Sequence, residues 1–598
     1  MYQSTYYVEK ATNTFADDLL AYGLASLFAR ILADNVGEHT VTVRDAGSVY
    51  AIGLETAIEP GFEEIDWFCD LPFLKAGRKK PPDGWLGEVV DYDAQRERNS
   101  LFFEARRQLP PAAKRPGATV DEFPELSAVE ALAPRPDWDI LAQINQMSGI
   151  YAYSDVLTNW FACRVCFPDL LRLTLALFAT PTNDLDAATS DWKDLKKQHK
   201  LKVKDTVTPV QILNPSMGKG LNRPKTDRAD ILTNPSSFWP LEFLKFWGMR
   251  LAGLPRVVRT PQRGGPRDRK TYVLRPRNLT LDTLGRVYTP FNAVMWPSTA
   301  IKMDVLAAIR FTDVFLEQWL AGLLGDIDWG EQPDDFVGGL AVAFYKDMGS
   351  ASSVLNLAEI SLPAWMATDN PEAARAYRGV LEEHRRVVGS LGEDRGDEYR
   401  LLQRYRDFLS GRDLRAFFEF NAGYAGLTLS RMERGQWAPR FTTPNLEVLM
   451  MAHDEKLAPI LEDEGFRHVA AAIRRSTVIP QYFKAQGKPG PYTIRYGLGN
   501  ELLRHAAYPE QFARALSAFV HEYNRETAQI YERYKGNPPV RRATITTDDV
   551  EAVVRLIDVY GSETVANLLV AFGYAREPRE PDSADPGVAE AEDVPEQN

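Results

Sequence analysis

The apolar positions of this chain follow two rhythms. Phe15, Leu19, Leu20, Leu24, Leu27, Phe28, Ile31 and Leu32 recur at helical spacing behind Thr14, which predicts an amphipathic helix. Thr14 with Asp17 resembles a capping box, Asp standing where Glu is usual. Thr40–Arg44 and Ser48–Ile52 flank Asp45-Ala46-Gly47, the pattern of strand, turn and strand. From about Gly77 to Pro136 periodicity is weak and Pro, Arg and Glu abound, so an irregular or partly mobile excursion is expected.

Helical spacing returns at Trp138. Ile140, Ile144, Met147 and Ile150 share a face, and Leu157, Trp160, Val165, Leu170, Leu171, Leu173 and Leu175 continue it, with a break at Pro168. Phe238 to Gly248 is dense in aromatics and is expected to pack as a core helix, a platform for stacking bases being the alternative. Ser298–Leu324 reads as a long amphipathic helix, and Thr271–Leu274 and Val337–Lys346 read as strands. Glu372–Leu409 reads as one long charged helix with Glu382, Glu383, Arg385 and Arg386 on solvated faces.

Beyond Arg412 nearly everything is helical. Phe466, Val469, Ala470 and Ile473 line one helix, and Phe512, Leu516, Phe519, Val520 and Tyr523 line another. Thr547 and Ser562 are placed as N-caps of the last two helices, with Gly561 and Gly573 after their ends. The expected fold is α+β: a mixed α/β region with irregular loops over 1–411, an all-α helical bundle over 412–575, and a disordered acidic tail over 576–598.

Hydrophobic residues make up 44% of the chain, enough for real cores, and three cysteines cannot build a disulfide scaffold. Met1-Tyr2-Gln3-Ser4 lacks the basic start of a signal peptide, and apolar runs such as Leu170–Thr180 are too short to span a bilayer. A soluble cytoplasmic protein without membrane partners is expected.

Charge changes this picture most. The whole chain has a formal net charge of −12, yet 191–290 holds 21 Lys and Arg against 8 Asp and Glu. Such a basic island is the footprint expected for a polyanion. Lys193, Lys196, Lys197, Lys200, Lys202 and Lys204 lead in, and Arg256, Arg259, Arg263, Arg267, Arg269, Lys270, Arg275 and Arg277 lead out. Between them runs Asn214-Pro215-Ser216-Met217-Gly218-Lys219-Gly220-Leu221-Asn222-Arg223-Pro224-Lys225, where glycines let backbone N–H groups approach phosphates. No Ser or Thr follows Lys219, so this is not a Walker motif. A solvated loop balancing acidic neighbours is the alternative.

Catalytic chemistry has no comparable signal. The seven histidines form no His-Glu-x-x-His, and no Gly-x-Ser-x-Gly occurs. Cys163 and Cys166 form a single CxxC with only Cys69 left to join them, and they read as core cysteines. His453-Asp454 reads as a solvated pair. No catalysis, cofactor or metal is expected.

Two stretches carry a family resemblance. One is the Asn214–Arg223 loop followed by Phe238-Trp239-Pro240-Leu241-Glu242-Phe243-Leu244-Lys245. The other runs through Phe466–Thr477, Tyr496-Gly497-Leu498 and Phe519–Asn524, and closes at Leu568–Ala575. Together they resemble the large subunit of type I CRISPR Cascade complexes, most nearly its type I-B and I-A branches. The resemblance implies a non-catalytic protein that binds target double-stranded DNA and its flanking motif and helps form the R-loop. Implied partners are crRNA, the handle-binding, backbone and small subunits, and a separate nuclease or transposition effector. Base pairing would then read sequence while the protein reads the flanking motif and DNA shape. Some members carry a cysteine zinc cluster, for which this chain offers only Cys163 and Cys166 close together.

Chemistry nominates Lys219, Asn222, Arg223 and Lys225 as nucleic-acid contacts, with Arg256, Arg259, Arg263, Arg267, Arg474 and Arg475 beside them. A stand-alone metal-dependent nuclease and a purely structural assembly subunit are the alternatives. From about Met450 the chain reads as a separable bundle with exposed basic residues, which either hold a single DNA strand with Tyr482, Tyr492 or Tyr496 as stacking partners or only make surface ion pairs. An internal start at Met450 or Met451 would release a small-subunit-like species of roughly 16–17 kDa.

Overall fold

The computed structural model describes all residues except 115–118, 219–222, 225–231, 234–235, 261–266, 326, 350, 364, 367, 412 and 579–598, together with the side chains of 223–224, 232–233 and 410. The fold is α+β. Its described residues form two compact units. One comprises 1–299 and 333–362; the other comprises 300–332 and 363 onwards. These boundaries differ from the expected division at 411, because the helix Ala300–Leu320 packs on Pro371–Ser390 and Gly396–Ser410, not on the strands.

The first unit holds two four-stranded antiparallel sheets. In one, Thr5–Glu9 pairs with Val49–Leu54, which pairs with Val41–Asp45, which pairs with Asn278–Thr280. The expected hairpin is present, turning at Gly47 with φ +84°. The second sheet runs Gly253–Val257, Arg269–Pro276, Val337–Asp347, Ser352–Ile360. Arg269–Pro276 is buried on both faces for most of its length, as a central strand should be, whereas Ser352–Ile360 alternates poorly and lies at an edge.

Helix Phe15–Val36 is the spine of this unit. By length and apolar composition it could cross a membrane, against the expectation that no run is long enough, but it is mostly buried within the protein. It crosses helix Trp239–Ala252 so closely that each contributes a glycine. A Cβ on Gly23 would lie 1.9 Å from the Leu244 carbonyl oxygen, and one on Gly248 would lie 1.9 Å from that of Leu19. Tyr22 donates to the Leu274 carbonyl at 3.0 Å, fixing the spine to the second sheet. Thr14 caps the helix, but Asp17 accepts from the Thr12 N–H at 3.1 Å and closes no capping box.

The aromatic run at 238–248 forms the expected core helix. Phe243 stacks on Trp160 at 3.9 Å, and Trp247 meets Phe68 edge-on. The break near Pro168 is a 3-10 turn, Cys163–Cys166, with Pro168 in the first turn of Phe167–Leu177, where its missing N–H costs nothing. The excursion at 77–136 is more regular than expected. Asp91 caps helix Tyr92–Gln108, accepting from Asp93 and Ala94 N–H groups, and this helix packs on Glu125–Ala131. Only Tyr92 of the longer helix is buried, so little apolar period marks it.

The second unit is helical. The expected single helix over 372–409 is two, Pro371–Ser390 and Gly396–Ser410, broken at a turn of Glu393 and Asp394, before which the Gly392 N–H binds the Glu398 carboxylate at 2.7 Å. Glu382 is not simply solvated: it is half-buried and holds both Arg385 and Arg386. His384 is buried among Tyr405, Phe417 and Phe441. His453 is likewise no solvated pair, since its ring stacks on Trp365 and Phe408.

The last two helices are Thr547–Tyr560 and Ser562–Tyr574. The true cap of the first is Thr546, in a reciprocal capping box with Asp549. Ser562 caps nothing; its hydroxyl donates to the Ala506 carbonyl, and Gly573 lies inside its helix, where a Cβ would strike Ile473. No boundary falls at Met450. That residue is fully buried inside helix Thr443–His453, and Thr443 N–H binds the Arg576 carbonyl at 2.9 Å. Helix Arg415–Glu433 packs against Val478–Ala485 and Ser562–Tyr574. A chain begun at Met450 would leave those faces uncovered. The acidic tail from 579 lies outside the described residues.

Candidate nucleic-acid interface

The basic segment is fastened at both feet. Helix Trp239–Ala252 places Glu242 and Lys245 one turn apart, both buried in the first unit. Glu242 stands in the first helical turn, where a carboxylate also complements the helix dipole. Lys245 donates to Glu242 at 2.9 Å and to the Asn214 side-chain oxygen at 2.6 Å. Asn214 Nδ2 returns to Glu242 at 2.8 Å, and the Ser237 hydroxyl donates to the same carboxylate at 2.9 Å. Asn214 and Ser237 are thus held to one buried ion pair, 23 residues apart in sequence.

The outgoing limb is also strapped to the second sheet. Gly218 and Val354 exchange backbone hydrogen bonds at 2.9 and 3.0 Å, along the edge strand Ser352–Ile360. Gly218 has φ +93°, a conformation that favours glycine. Gln211 donates to the carbonyls of Ser216 and Gly218, and Tyr345 donates to that of Gln211. Further out, Arg223–Pro224 pairs antiparallel with Leu232–Thr233.

The nominated residues divide sharply. Lys219, Asn222, Lys225 and Arg263 lie outside the described residues, as does the Arg223 side chain. Arg259 and Arg267 are exposed, each held by its backbone N–H, to Ser298 and Asp347 respectively. Arg256 is buried. Its guanidinium donates to the carbonyls of Met295 and Asn292 and pairs with Asp139 at 2.8 Å, so it braces the core and faces no ligand. Burial pushes its pKa down, with Asp139 opposing. Arg474 is buried too, bound to the Phe572 carbonyl and to Glu577. Arg475 is half-buried, and its carbonyl accepts from Arg542.

Much of the island's charge is answered internally. Lys196 pairs with Asp205, Arg275 with Glu359, Arg277 with Asp334 and Arg286 with Asp282. Lys193, Lys197, Lys200 and Lys202 instead stand exposed along helix Leu185–Gln198 and the segment after it. The same sorting holds in the second unit. Arg495 pairs with Glu522, and Arg542 pairs with Glu526 while lying 3.6 Å above the Tyr492 ring. Tyr492 is buried and unable to stack on a base; Tyr496 is 44% exposed, but its hydroxyl is held by Gln481 and Lys484.

Cys163 and Cys166 are both buried, and the hydrogen bond to Cys166, with burial, pushes the Cys163 thiol up. Among the described residues no His, Cys or acidic side chains gather in a group of three that could hold a metal.

No protein-family model and no curated protein matches this chain.

Sequence reasoning missed the clamp. Phe238 to Gly248 reads as a core helix, and nothing in its spacing says that Glu242 and Lys245 reach Asn214 and Ser237. The visible sign was a charged i, i+3 pair in the midst of the helix's aromatic residues.

Proposed function

We propose that the protein is the large subunit of a crRNA-guided type I surveillance complex, which binds target DNA and its flanking motif and acts by binding alone. The observation that supports this most is the clamped basic segment. A Gly- and Lys-rich stretch in an acidic chain is tied at Asn214 and Ser237 to a buried ion pair and at Gly218 to a sheet edge. Such anchoring limits the conformational entropy lost when a segment closes on a ligand. Exposed Lys193, Lys197, Lys200 and Lys202 add cations on the lead-in. The resemblance supplies the remainder: crRNA, the other Cascade subunits and a separate effector as partners.

The test is the triple variant K219A/R223A/K225A in the assembled complex. Target-DNA affinity should fall, and the slope of log affinity against log salt should flatten by roughly 0.9 for each phosphate that the variant no longer neutralises. A complex that assembles and binds with unchanged affinity and slope overturns the proposal. Robust cleavage of DNA or RNA by the pure chain with Mg²⁺ or Mn²⁺, abolished by one carboxylate substitution, overturns the statement that it acts by binding alone.

A further inference from the structure

The start of the region whose sequence reads as an irregular excursion carries a basic turn beside an exposed aromatic ring. The turn at Ala76–Lys79 is closed by the Lys79 N–H on the Ala76 carbonyl at 3.0 Å, with Gly77 at φ +55°. It projects Arg78 and Lys80 into solvent, and Lys79 reaches over the ring of Tyr151, 4.8 Å from its centroid. Tyr151 begins helix Ile150–Ala162 and is 65% exposed, among the most exposed large side chains of the protein. An aromatic ring this exposed offers a planar base a surface to stack on, and the ammonium beside it adds a favourable charge.

The same helix joins this turn to the basic lead-in. One turn after Tyr151 on the same face, Asp155 pairs with Lys204. Asn159 then bonds both backbone groups of Lys204, at 3.0 and 3.4 Å, fastening the Lys200–Lys204 segment beside the helix. Asp155 is therefore neutralised, while Lys200 and Lys202 remain exposed. Asp83, three residues after Lys80 in sequence, is an exposed opposing charge. Lys79 thus lies over an exposed ring, and the helix that carries the ring also fastens the lysine-rich segment 200–204. The eight-residue step from Tyr151 to Asn159 spans about 12 Å at the helical rise.

We infer that Tyr151, with Arg78, Lys79 and Lys80 of the adjoining turn and Lys200 and Lys202 of the segment fastened to its helix, binds an unpaired polynucleotide, one base stacking on Tyr151 and the flanking phosphates meeting the lysines. This deepens the nucleic-acid reading above and rests on it. A duplex keeps its bases stacked inside, so it would meet the cations and gain nothing from the ring.

The experiment uses the full chain and fluorescence anisotropy with labelled dT12, U12 and a 12-base-pair DNA duplex. Tyr151→Ala should weaken both single strands about tenfold, within the range known for base–aromatic stacking, and leave the duplex unchanged. Tyr151→Phe should bind as the parent does. The double variant K80A/K202A should lower the single-strand salt slope by roughly 1.4, at about 0.7 per phosphate. The ratio of dT12 to U12 affinity tells whether DNA or RNA is the natural source. Single-strand affinity that ignores both Tyr151→Ala and K80A/K202A, with unchanged melting, overturns the inference. If duplex binding in the assembled complex still depends on Lys219, Arg223 and Lys225, the proposed function survives that failure. A parent chain that binds none of the three probes overturns the inference as well.

Discussion

Replacing Lys245 with methionine tests whether the clamp is one energetic unit. Methionine nearly matches the lysine stem in length but removes the ammonium. Lys245 is 9% exposed and Glu242 1%, so neither charge has water to fall back on. In Lys245→Met the Glu242 carboxylate keeps Asn214 and Ser237 as donors and is deprived of the ammonium at 2.9 Å. Stranding a buried charge in this way costs roughly 3–5 kcal/mol. Asp17 should add to the loss, since burial already raises its pKa and Lys245 is one of the groups holding it down. At about 2.1 cal/mol/K of unfolding entropy per residue, a unit of this size shifts by roughly 1.5 °C per kcal/mol, so melting of the first unit should drop by about 4–7 °C in calorimetry. The double variant E242L/K245M removes both charges and should recover much of the loss, because an apolar pair of similar volume often replaces a buried ion pair at little cost. Hydrogen exchange adds a local readout: the Gly218 amide, bound to Val354, should lose protection in the single variant. A loss in Lys245→Met under about 1 kcal/mol, or a double variant whose cost equals the sum of the two singles, refutes the coupling.

Gly248→Ala should separate the spine helix from Trp239–Ala252, since its Cβ would sit 1.9 Å from a backbone carbonyl that cannot rotate away. A loss of at least 1–3 kcal/mol in urea unfolding is expected, roughly the ordinary cost of overpacking, whereas Gly285→Ala, with nothing within 4 Å, should be tolerated. Asp18 provides the pH dependence. It is fully buried under Tyr50, and burial raises its pKa to about 6, with Arg275 opposing. The folded state therefore holds a proton that the unfolded chain releases near pH 4. This contribution to stability is complete below that pH and is lost as pH rises to about 6. Asp18→Asn should abolish that decline and gain roughly 3 kcal/mol relative to the parent at pH 7, read from unfolding curves at pH 4, 6 and 7.

Fold class was legible because periodicity is loud where faces are apolar. Phe15–Val36, the strand pair at Val41–Leu54, Trp239–Ala252 and Val337–Asp347 all announce themselves in the spacing of Val, Ile, Leu and aromatic residues. Tyr92–Gln108 did not, because a helix with one buried residue is specified by its Asp91 cap and by propensity, not by a stripe. The split at Gly392 was hidden because both flanking helices keep the same polar composition. For the candidate interface, charge density located the segment in sequence but could not sort its members. Arg256 and Arg259 are three residues apart; one braces the core and the other faces solvent. That difference depends on Asp139 and Asn292, which come from distant parts of the chain.

The way the chain returns to its second sheet bears on how the protein is made. The edge that receives Gly218 belongs to Ser352–Ile360, while the sheet's other outer strand Gly253–Val257 and the central Arg269–Pro276 precede the helix Ala300–Leu320, which belongs to the other unit. During synthesis the first unit cannot finish this sheet until residue 360 has left the ribosome, and by then the opening helix of the other unit has already emerged without its partners Pro371–Ser390 and Gly396–Ser410. At roughly 5–20 residues per second this buried helix waits several seconds for cover. A nascent chain stalled near residue 365 should therefore expose Val305, Ile309 and Phe315, all buried in the finished protein, and present chaperones with an apolar helix that the full-length product never shows.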